Sequence, residues 1–448
     1  MAADGHSDAP TRHPIPWTEA DYTDRQKIEA ECRRVFDICH GCRRCFNLCD
    51  SFPKLFDLID ATPSGELEDV PNEAFKPVVD ACTLCDMCFM TKCPYVPPHE
   101  FDLDFPHLML RYRAMERKEK KTPLASRQLA ETDRNGKLAA PVAPLVNWAS
   151  DTENKWMRRA VEGVAGVHRD AALPKFQGKS FTARAADEPA AVNRDAPAFG
   201  RKAVLYATCF ANYNNPQIGL AARAVLAKNG VETEIVYPAC CGMPKLEHGD
   251  LEAVAARAHK VAGEMAPWID KGYAVIALVP SCALMLKSEW PLLLPEAEAV
   301  TRLAKATFDI TEYVVDLATK EGLAEGLRPL EGGVALHLAC HARAQNMGQK
   351  AAEMLRLLPK ADVKVIERCS GHGGSWGVMK ANFETALKVG KPVARQAAEA
   401  KKAYLASECP LAGAHIVQGV ERLDADAVPK ESYHPIELFA HAYGISLT

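Results

Sequence analysis

Short apolar runs of strand length alternate with longer helical stretches over the second half of the chain. From residue 201 onward the runs AVLYATC, EIVYPACCGMP and YAVIALVPSC are separated by stretches in which apolar residues recur every three to four positions. The same order returns with VALHLAC, VKVIERCSGHGG and YLASECP as the apolar runs. Each half therefore predicts strand–helix–strand–helix–strand, the pattern of a small, mostly parallel α/β unit.

The two halves form an internal repeat that is marked by cysteines. Cysteines follow every predicted strand, and the matching cysteines of the two halves are separated by about 130 residues in all three cases. Ligands of open α/β sheets bind beyond the carboxyl ends of the strands, so we expect these distant thiols to converge there. The cysteines concerned are Cys209, Cys240, Cys241 and Cys282 in the first half and Cys340, Cys369 and Cys409 in the second.

The two halves differ in the number of thiols that they offer. Four thiolates in the first half are enough for one iron–sulfur cluster, and Gly242 allows the bend that lets two adjacent cysteines face one site. Reduced core cysteines are the alternative. The second half has three thiols, because Ser370 stands where the second cysteine of the pair would be. An iron corner there would be open or filled by Ser370 or a histidine; the candidates, which could instead be ordinary hydrogen-bonding residues, are His341, His372 and His415.

Two dense cysteine runs precede the repeats: CHGCRRCFNLC, which ends at Cys49, and CTLCDMCFMTKCP. A loop with a thiol at every third position can wrap three corners of a [4Fe–4S] cluster, and in two-cluster ferredoxins the last thiol of each run binds the other cluster. This predicts two clusters, held by Cys39, Cys42, Cys45 and Cys93 and by Cys82, Cys85, Cys88 and Cys49. Two zinc sites are the alternative, although structural zinc sites favour separated cysteine pairs. Cys32 has no partner at a useful spacing, so we interpret it as a buried core residue.

The distribution of the sixteen cysteines divides the chain. None lies between residues 94 and 208, a stretch rich in Ala, Pro and charge that we expect to be a loosely packed connector without chemistry of its own. The helical stretch before it, FDLDFPHLMLRYRAMERKEKK, has a basic end that predicts a solvated face or a contact with a partner or anionic lipid. We therefore divide the chain into a polar tail (1–28), a two-cluster ferredoxin-type module (29–115), a connector with short helices (116–200) and two α/β repeats (201–325 and 326–448).

Charge and hydropathy exclude several functions. The formal net charge is −4, which argues against a zinc-dependent nucleic-acid binder. No apolar run is long enough to span a bilayer, and the polar, Pro-rich start predicts no signal peptide. Sixteen cysteines without an export signal indicate metal rather than disulfides. We expect a cytoplasmic protein, or one held at the inner face of the membrane by a partner.

The two cysteine runs followed by two repeats centred on CCG and CSG resemble a known type of iron–sulfur protein. The chain is similar to the C subunit of anaerobic glycerol-3-phosphate dehydrogenases and, more broadly, to heterodisulfide reductase-related proteins with cysteine-rich CCG domains. The resemblance covers about residues 30–115 and 200 to the C-terminus. It implies a mainly helical module with two [4Fe–4S] clusters and two tandem α/β CCG repeats. Full CCG sites of heterodisulfide reductases end in C-x-x-C, whereas Met285 and Ala412 stand at those positions here.

These features predict a multi-domain α+β oxidoreductase subunit that transfers electrons and is not a complete enzyme by itself. Electrons would pass from a flavin-containing dehydrogenase partner through two [4Fe–4S] clusters to one further cluster in the repeats, or to two, and on to a quinone-reducing membrane partner or another acceptor. Nothing in the chain binds flavin or nicotinamide convincingly, and cluster chains of that kind are more often wires than whole enzymes. The alternative is catalysis on a thiol, disulfide or hydroxy acid at an open cluster of the second repeat.

Overall fold

Helices build the N-terminal unit. The computed structural model describes residues 10–423 and 429–447. The unit contains α1 (Arg25–Cys42), α2 (Ser51–Asp60), α3 (Lys76–Ala81), α4 (Met87–Thr91) and α5 (Phe105–Lys118), with 3-10 turns at Ala20–Thr23, Leu67–Asp69 and Asn72–Phe75. Helix α1 begins after Asp24, whose carboxylate accepts the Lys27 N–H, and Phe36 of α1 packs against Phe75 and Phe105. The predicted mainly helical module is therefore present.

The segment before α1 lies across this unit and the first repeat. The Ile15 N–H donates to the Leu292 carbonyl at 2.7 Å, and the Trp17 indole N–H donates to the Leu293 carbonyl at 2.9 Å. The Arg12 guanidinium contacts three carboxylates, Asp86 at 2.7 Å, Asp104 at 2.9 Å and Glu289 at 3.2 Å. Arg12 therefore ties the segment after α3 to the first repeat through buried charge.

The basic end of α5 combines arginines that bind within the chain with lysines that are exposed. Arg111 donates to backbone carbonyls of residues 21 and 22, and Arg113 donates to those of residues 79, 82 and 247. Arg117 pairs with Asp250 at 2.7 Å. These arginines are thus bound inside the chain, whereas Lys118, Lys120 and Lys121 are exposed, as expected of a solvated face.

The connector consists of short helices that pack against both repeats. They are α6 (Leu124–Leu129), α7 (Thr132–Ala139), α8 (Ala143–Ser150), α9 (Lys155–Ala165) and α10 (Phe181–Asp187), with a 3-10 turn at Ala140–Val142. Gly136, Ala139 and Ala143 form a buried seam, and a Cβ on Gly136 would lie 2.3 Å from the buried ring of Tyr213. The expected loose packing is therefore wrong for α7, since small residues let this helix approach closely.

The first repeat is a four-stranded parallel sheet in the order β2-β1-β3-β4. Its elements are β1 (Lys202–Tyr206), α11 (Cys209–Tyr213), α12 (Pro216–Lys228), β2 (Glu232–Val236), α13 (Met243–Leu246), α14 (Leu251–Asp270), β3 (Ala274–Ala277), α15 (Pro280–Leu284), a π-helical turn (Met285–Glu289), α16 (Trp290–Leu293), α17 (Glu298–Ala306), β4 (Thr307–Asp309) and α18 (Ile310–Lys320). Val204 of β1 pairs with Glu234 and Val275 on its two sides, so β1 lies where the strand order reverses.

The second repeat has the same topology, with strand order β6-β5-β7-β8 and all pairs parallel. Its elements are β5 (Val334–His337), α19 (Cys340–Ala344), α20 (Lys350–Arg356), β6 (Val363–Ile366), a 3-10 turn (Trp376–Val378), α21 (Phe383–Glu399), β7 (Tyr404–Ser407), α22 (Pro410–Leu423), β8 (Ser432–Tyr433) and α23 (Pro435–Ala442). The predicted α/β repeats are confirmed, and each sheet has a fourth edge strand that the periodicity did not predict.

A buried histidine joins two strands of the second sheet. His337 of β5 is 2% exposed, and its Nδ1 lies 2.9 Å from the Ser407 hydroxyl of β7. Its Nε2 lies 3.1 Å from the Arg368 carbonyl, which follows β6. Burial lowers the pKa of His337 from 6.5 to about 4. Within the described residues no helix has the length and apolar character needed to cross a membrane.

Candidate metal centres

The first thiol set consists of Cys39, Cys42, Cys45 and Cys93. Cys39 and Cys42 lie in the last turn of α1, Cys45 in the turn after it, and Cys93 after α4. Helix α1 ends where Arg43 takes the left-handed conformation, with φ 53°, and this bend separates Cys42 from Cys45. Burial raises the pKa of Cys39, and the neighbouring thiols Cys93, Cys45 and Cys42 raise it further. Cys39 therefore lies within electrostatic range of the other three predicted thiols.

The second thiol set consists of Cys49, Cys82, Cys85 and Cys88. Burial raises the pKa of Cys88, and Cys85, Cys82 and Cys49 add to the increase. Cys85 lies between two residues with left-handed backbone, Leu84 at φ 47° and Asp86 at φ 63°. Backbone in this region is costly for residues other than glycine, so the loop holds strain at a thiol.

The first repeat set consists of Cys209, Cys240, Cys241 and Cys282, each located after the carboxyl end of a strand. Cys240, Cys241 and Cys282 are buried, with exposures of 0%, 2% and 4%. Hydrogen bonds from Cys209 and Cys241 lower the pKa of the Cys240 thiol. Gly242 has φ 87°, which allows the bend between the adjacent thiols and the following helix α13.

Two residues of the connector, Thr132 and Asp133, lie next to the thiols of the first repeat set. The Asp133 carboxylate accepts the Cys240 N–H at 2.9 Å, the Tyr237 hydroxyl and the Arg257 guanidinium at 3.2 Å. The Thr132 hydroxyl is buried without a nitrogen or oxygen partner and contributes to the pKa shifts of Cys209 and Cys240. Sequence reasoning missed both residues, because the connector carries no cysteine and lies about 70 residues before the site.

The second repeat set consists of Cys340, Cys369 and Cys409, which also follow three neighbouring strands. Burial raises the pKa of Cys340, and the next contributions come from Cys85, Cys369 and Cys409. Cys369 is exposed, in contrast to Cys240, Cys241 and Cys282 of the first repeat set, which are buried. The Gly371 N–H lies 3.4 Å from the Cys369 sulfur, and the His372 N–H lies 3.4 Å from the Ser370 hydroxyl.

The three candidate histidines have different surroundings. His341 faces the N-terminal unit, with Nε2 at 3.4 Å from the Leu84 carbonyl. His372 is 6% exposed, and neither of its ring nitrogens has a hydrogen-bond partner. Burial and the nearby His415 lower the pKa of His372 to about 3, so its ring is neutral at neutral pH. The ring centres of His372 and His415 lie 5.7 Å apart.

The thiol sets form a series along the molecule. Cys45 of the first thiol set contributes to the raised pKa of Cys88 in the second. Cys85 of the second thiol set is in turn influenced by Cys369 and influences Cys340, which both belong to the second repeat set. The second thiol set therefore lies between the first thiol set and the second repeat set.

The donor chemistry fits iron–sulfur clusters. Each four-thiol set offers sulfur donors alone, from segments that can wrap a compact core, as such clusters require. Among the described residues, no group of three or more His, Cys, Asp or Glu side chains is arranged to hold a single metal ion. Bound clusters would supply one-electron chemistry, and Cys39, Cys49, Cys209 and their set partners would hold them.

Comparison with known proteins agrees with the repeat structure. The chain is 28% identical over 293 residues to the C subunit of anaerobic glycerol-3-phosphate dehydrogenase from Escherichia coli (strain K12), covering 63% of this chain and 69% of the relative. It is 26% identical over 301 residues to the D subunit of dihydromethanophenazine:CoB--CoM heterodisulfide reductase from Methanosarcina barkeri. That alignment covers 64% of this chain and 70% of the relative. Lactate utilization protein A of Macrococcus caseolyticus is 27% identical over 188 residues, which are 40% of this chain and 73% of the relative.

The family model for the cysteine-rich domain named CCG matches residues 203–287 and 334–416. These two ranges overlap three of the four strands of each parallel sheet and contain the first and second repeat sets, whereas the edge strands β4 and β8 lie outside them. The resemblance expected from the sequence is confirmed: the chain carries two copies of the cysteine-rich CCG domain.

Proposed function

We propose that this chain is an electron-transfer subunit of a dehydrogenase or reductase complex. It would relay electrons from a flavin-containing partner through two [4Fe–4S] clusters at the first and second thiol sets. The CCG region would receive them and pass them to a quinone or another acceptor. The series of neighbouring thiol sets, from Cys45 to Cys88 and from Cys85 to Cys369, carries this proposal.

The relatives support the general role. Two of them are named as subunits of a dehydrogenase and of a reductase, so each acts with further chains. The second thiol set lies beside the second repeat set, whereas the first repeat set has its own wall of Thr132, Asp133 and Tyr237. We therefore place the second repeat set on the direct electron path and the first repeat set on a separate branch.

The test is anaerobic reconstitution followed by iron analysis and EPR of the reduced protein. We expect broad absorption at about 400 nm, which is typical of thiolate-bound iron–sulfur centres. We also expect the EPR spectrum to show more than one reduced cluster. Cys85→Ala should remove the signal of one cluster and slow reduction of the CCG region by a low-potential donor. The matched control is Cys32→Ala, because Cys32 is 0% exposed in the core of α1 and belongs to no thiol set. A colourless, iron-free anaerobic preparation would refute the proposal.

A second candidate function is catalysis at the second repeat set. It is favoured by Cys369, the one exposed residue among the sixteen cysteines, and by the unpartnered ring nitrogens of His372, which could hydrogen-bond a bound molecule. A thiol, disulfide or hydroxy acid could bind there. Cys369→Ser separates the two candidates: in a relay it slows all acceptors alike, whereas at a substrate site it changes the selectivity among compounds.

A further inference from the structure

The outer side of the connector exposes apolar side chains at an unusual density. Of the twelve large hydrophobic residues that are exposed in the described part of the chain, seven lie between residues 124 and 164. They include both exposed tryptophans, Trp148 at 54% and Trp156 at 71%. We call this surface the connector face; its members are Leu124, Leu138, Val142, Leu145, Trp148, Trp156 and Val164.

The exposure follows helical spacing and does not come from scattered residues. Leu145 and Trp148 are three positions apart within α8, so they share one side of that helix, and Leu138 and Val142 precede them in α7 and the 3-10 turn. The buried seam of Gly136, Ala139 and Ala143 already supplies the apolar contact that holds this stretch on the first repeat. Apolar residues on a second, outward side therefore have no role in packing the described chain.

Helix α9 repeats the arrangement. Its outer side carries Trp156, Ala160 and Val164 at spacings of four, and Val164 is 88% exposed. Its inner side carries Arg158, which is 0% exposed and donates to backbone carbonyls of residues 168, 169 and 171. Helices α8 and α9 pack against each other, so the two apolar sides are neighbours.

Charge on the connector face is complementary to an anionic surface. Between residues 124 and 164 the exposed ionisable side chains are five cations and two carboxylates, although the chain as a whole has a net charge of −4. The exposed cations are Arg127, Arg134, Lys137, Lys155 and Arg159, and the exposed carboxylates are Asp151 and Glu153. Interspersed lysines are unusual in the core of a protein–protein interface, whereas Trp, Leu, Lys and Arg together are typical of helices that lie in a lipid headgroup layer.

We propose that the connector face binds the surface of an anionic lipid bilayer, with its helices lying in the headgroup region. Trp148 and Trp156 would enter the interface, where indole rings are favoured, and the flanking cations would contact lipid phosphates. Because Asp133 of α7 contacts Cys240, this orientation places the first repeat set on the bilayer side of the molecule. That last step extends the proposed relay function; the binding itself does not depend on it.

The experiment is co-sedimentation of the full-length protein with vesicles of phosphatidylglycerol and phosphatidylcholine, compared with vesicles of phosphatidylcholine alone. We expect binding to the anionic vesicles at about 0.1 M salt and weakening as salt rises. A blue shift of tryptophan fluorescence should accompany binding. Trp148→Ser with Trp156→Ser should reduce the partition coefficient about tenfold or more. Lys137→Gln and Arg159→Gln should each reduce it about fivefold.

The control is Phe199→Ser, because Phe199 is 53% exposed but lies outside the connector face. It should leave vesicle binding unchanged. All these side chains are exposed, so circular dichroism should show that every variant folds. Absence of binding to anionic vesicles overturns the proposal, and so does binding that the tryptophan variants leave unchanged. Self-association that Trp156→Ser abolishes, without vesicle binding, would assign the face to a second copy of the chain. Vesicle binding by a chain that holds no iron would keep this inference and refute the relay.

Discussion

The hydrogen bonds of Asp133 offer the sharpest test of how the connector contributes to the first repeat set. Asp133→Asn keeps the shape of the side chain but removes its charge. The carboxylate accepts from the Cys240 N–H, the Tyr237 hydroxyl and the Arg257 guanidinium. An amide oxygen can retain the bonds to the Cys240 N–H and to Arg257 only in a weaker neutral form, since both donate to the same oxygen of Asp133. The amide N–H on the other side can donate to the Tyr237 hydroxyl oxygen, but the hydroxyl then loses its charged acceptor.

The magnitude follows from these bonds. A hydrogen bond to a charged group contributes about 1.5–3 kcal/mol and a neutral one about 0.5–1.5 kcal/mol. The side chains of Asp133 and Arg257 are 18% and 16% exposed, so solvent screening is partial. We expect α7 to lose about 2–3 kcal/mol of docking free energy, which corresponds to about 30- to 150-fold more frequent local opening.

Native-state hydrogen exchange of the amides in residues 132–139 measures this opening. The control is Asp187→Asn in the same connector, because Asp187 is 58% exposed and pairs with the equally accessible Lys179. Exchange near Asp187 should change less than about threefold. If exchange of α7 in Asp133→Asn equals that of the wild type, Asp133 does not hold the connector on the first repeat set, and the reasoning is refuted.

Three further changes test packing, buried charge and protonation. Gly136→Ala should lower the free energy of unfolding in urea by about 1–3 kcal/mol, because the added Cβ meets a buried ring. Gly163→Ala has open space around it and should raise the same free energy by up to about 1 kcal/mol. Equal effects of the two substitutions would contradict the packing of α7. Arg12→Ala should lower the free energy of unfolding by about 3–5 kcal/mol, because it leaves three carboxylates without the cation that they share. Arg34→Ala, at an exposed ion pair, should lower it by less than about 1 kcal/mol. Burial lowers the pKa of His337 from 6.5 to about 4, so between these pH values the unfolded chain binds more protons than the folded one. The free energy of unfolding therefore decreases by about 3 kcal/mol as the pH falls from 6.5 to about 4. His337→Gln should reduce the slope of unfolding free energy against pH there by about one proton, and an unchanged slope would show that His337 is not the group responsible.

The secondary structure around the thiols was predictable because both signals are local. Strand-length apolar runs predicted three of the four strands of each sheet, and cysteines directly after them predicted sets at the carboxyl ends of those strands. The edge strands β4 and β8 contain three and two residues, too few to show a period. The grouping of Cys93 with Cys39 followed from the spacing of two runs, and the thiols of that set are neighbours in the structure.

The contacts that complete the sites join distant segments and leave no local pattern. Arg12 meets Glu289 across 277 positions, and Asp133 meets the Cys240 N–H across 107. From sequence alone, a polar residue that binds a distant partner looks the same as a polar residue that faces solvent. Only the folded structure shows which partner it has. The seam of Gly136, Ala139 and Ala143 was missed for a related reason, since glycine and alanine carry too little apolar surface to mark a buried face.

The two CCG domains have one topology, but the cysteines of the first repeat set are more buried than those of the second, and the surrounding elements account for the difference. At the first repeat set, the connector supplies Thr132 and Asp133, while Trp290 donates its indole N–H to the Cys241 carbonyl at 3.2 Å. At the second, Cys369 is exposed although Cys340 is influenced by Cys85 of the N-terminal unit. A sealed site suits a centre that exchanges only electrons, since water is excluded and nothing larger can enter. An open site next to the second thiol set suits the step at which a partner or substrate meets the relay, so the duplication allows one fold to serve both needs.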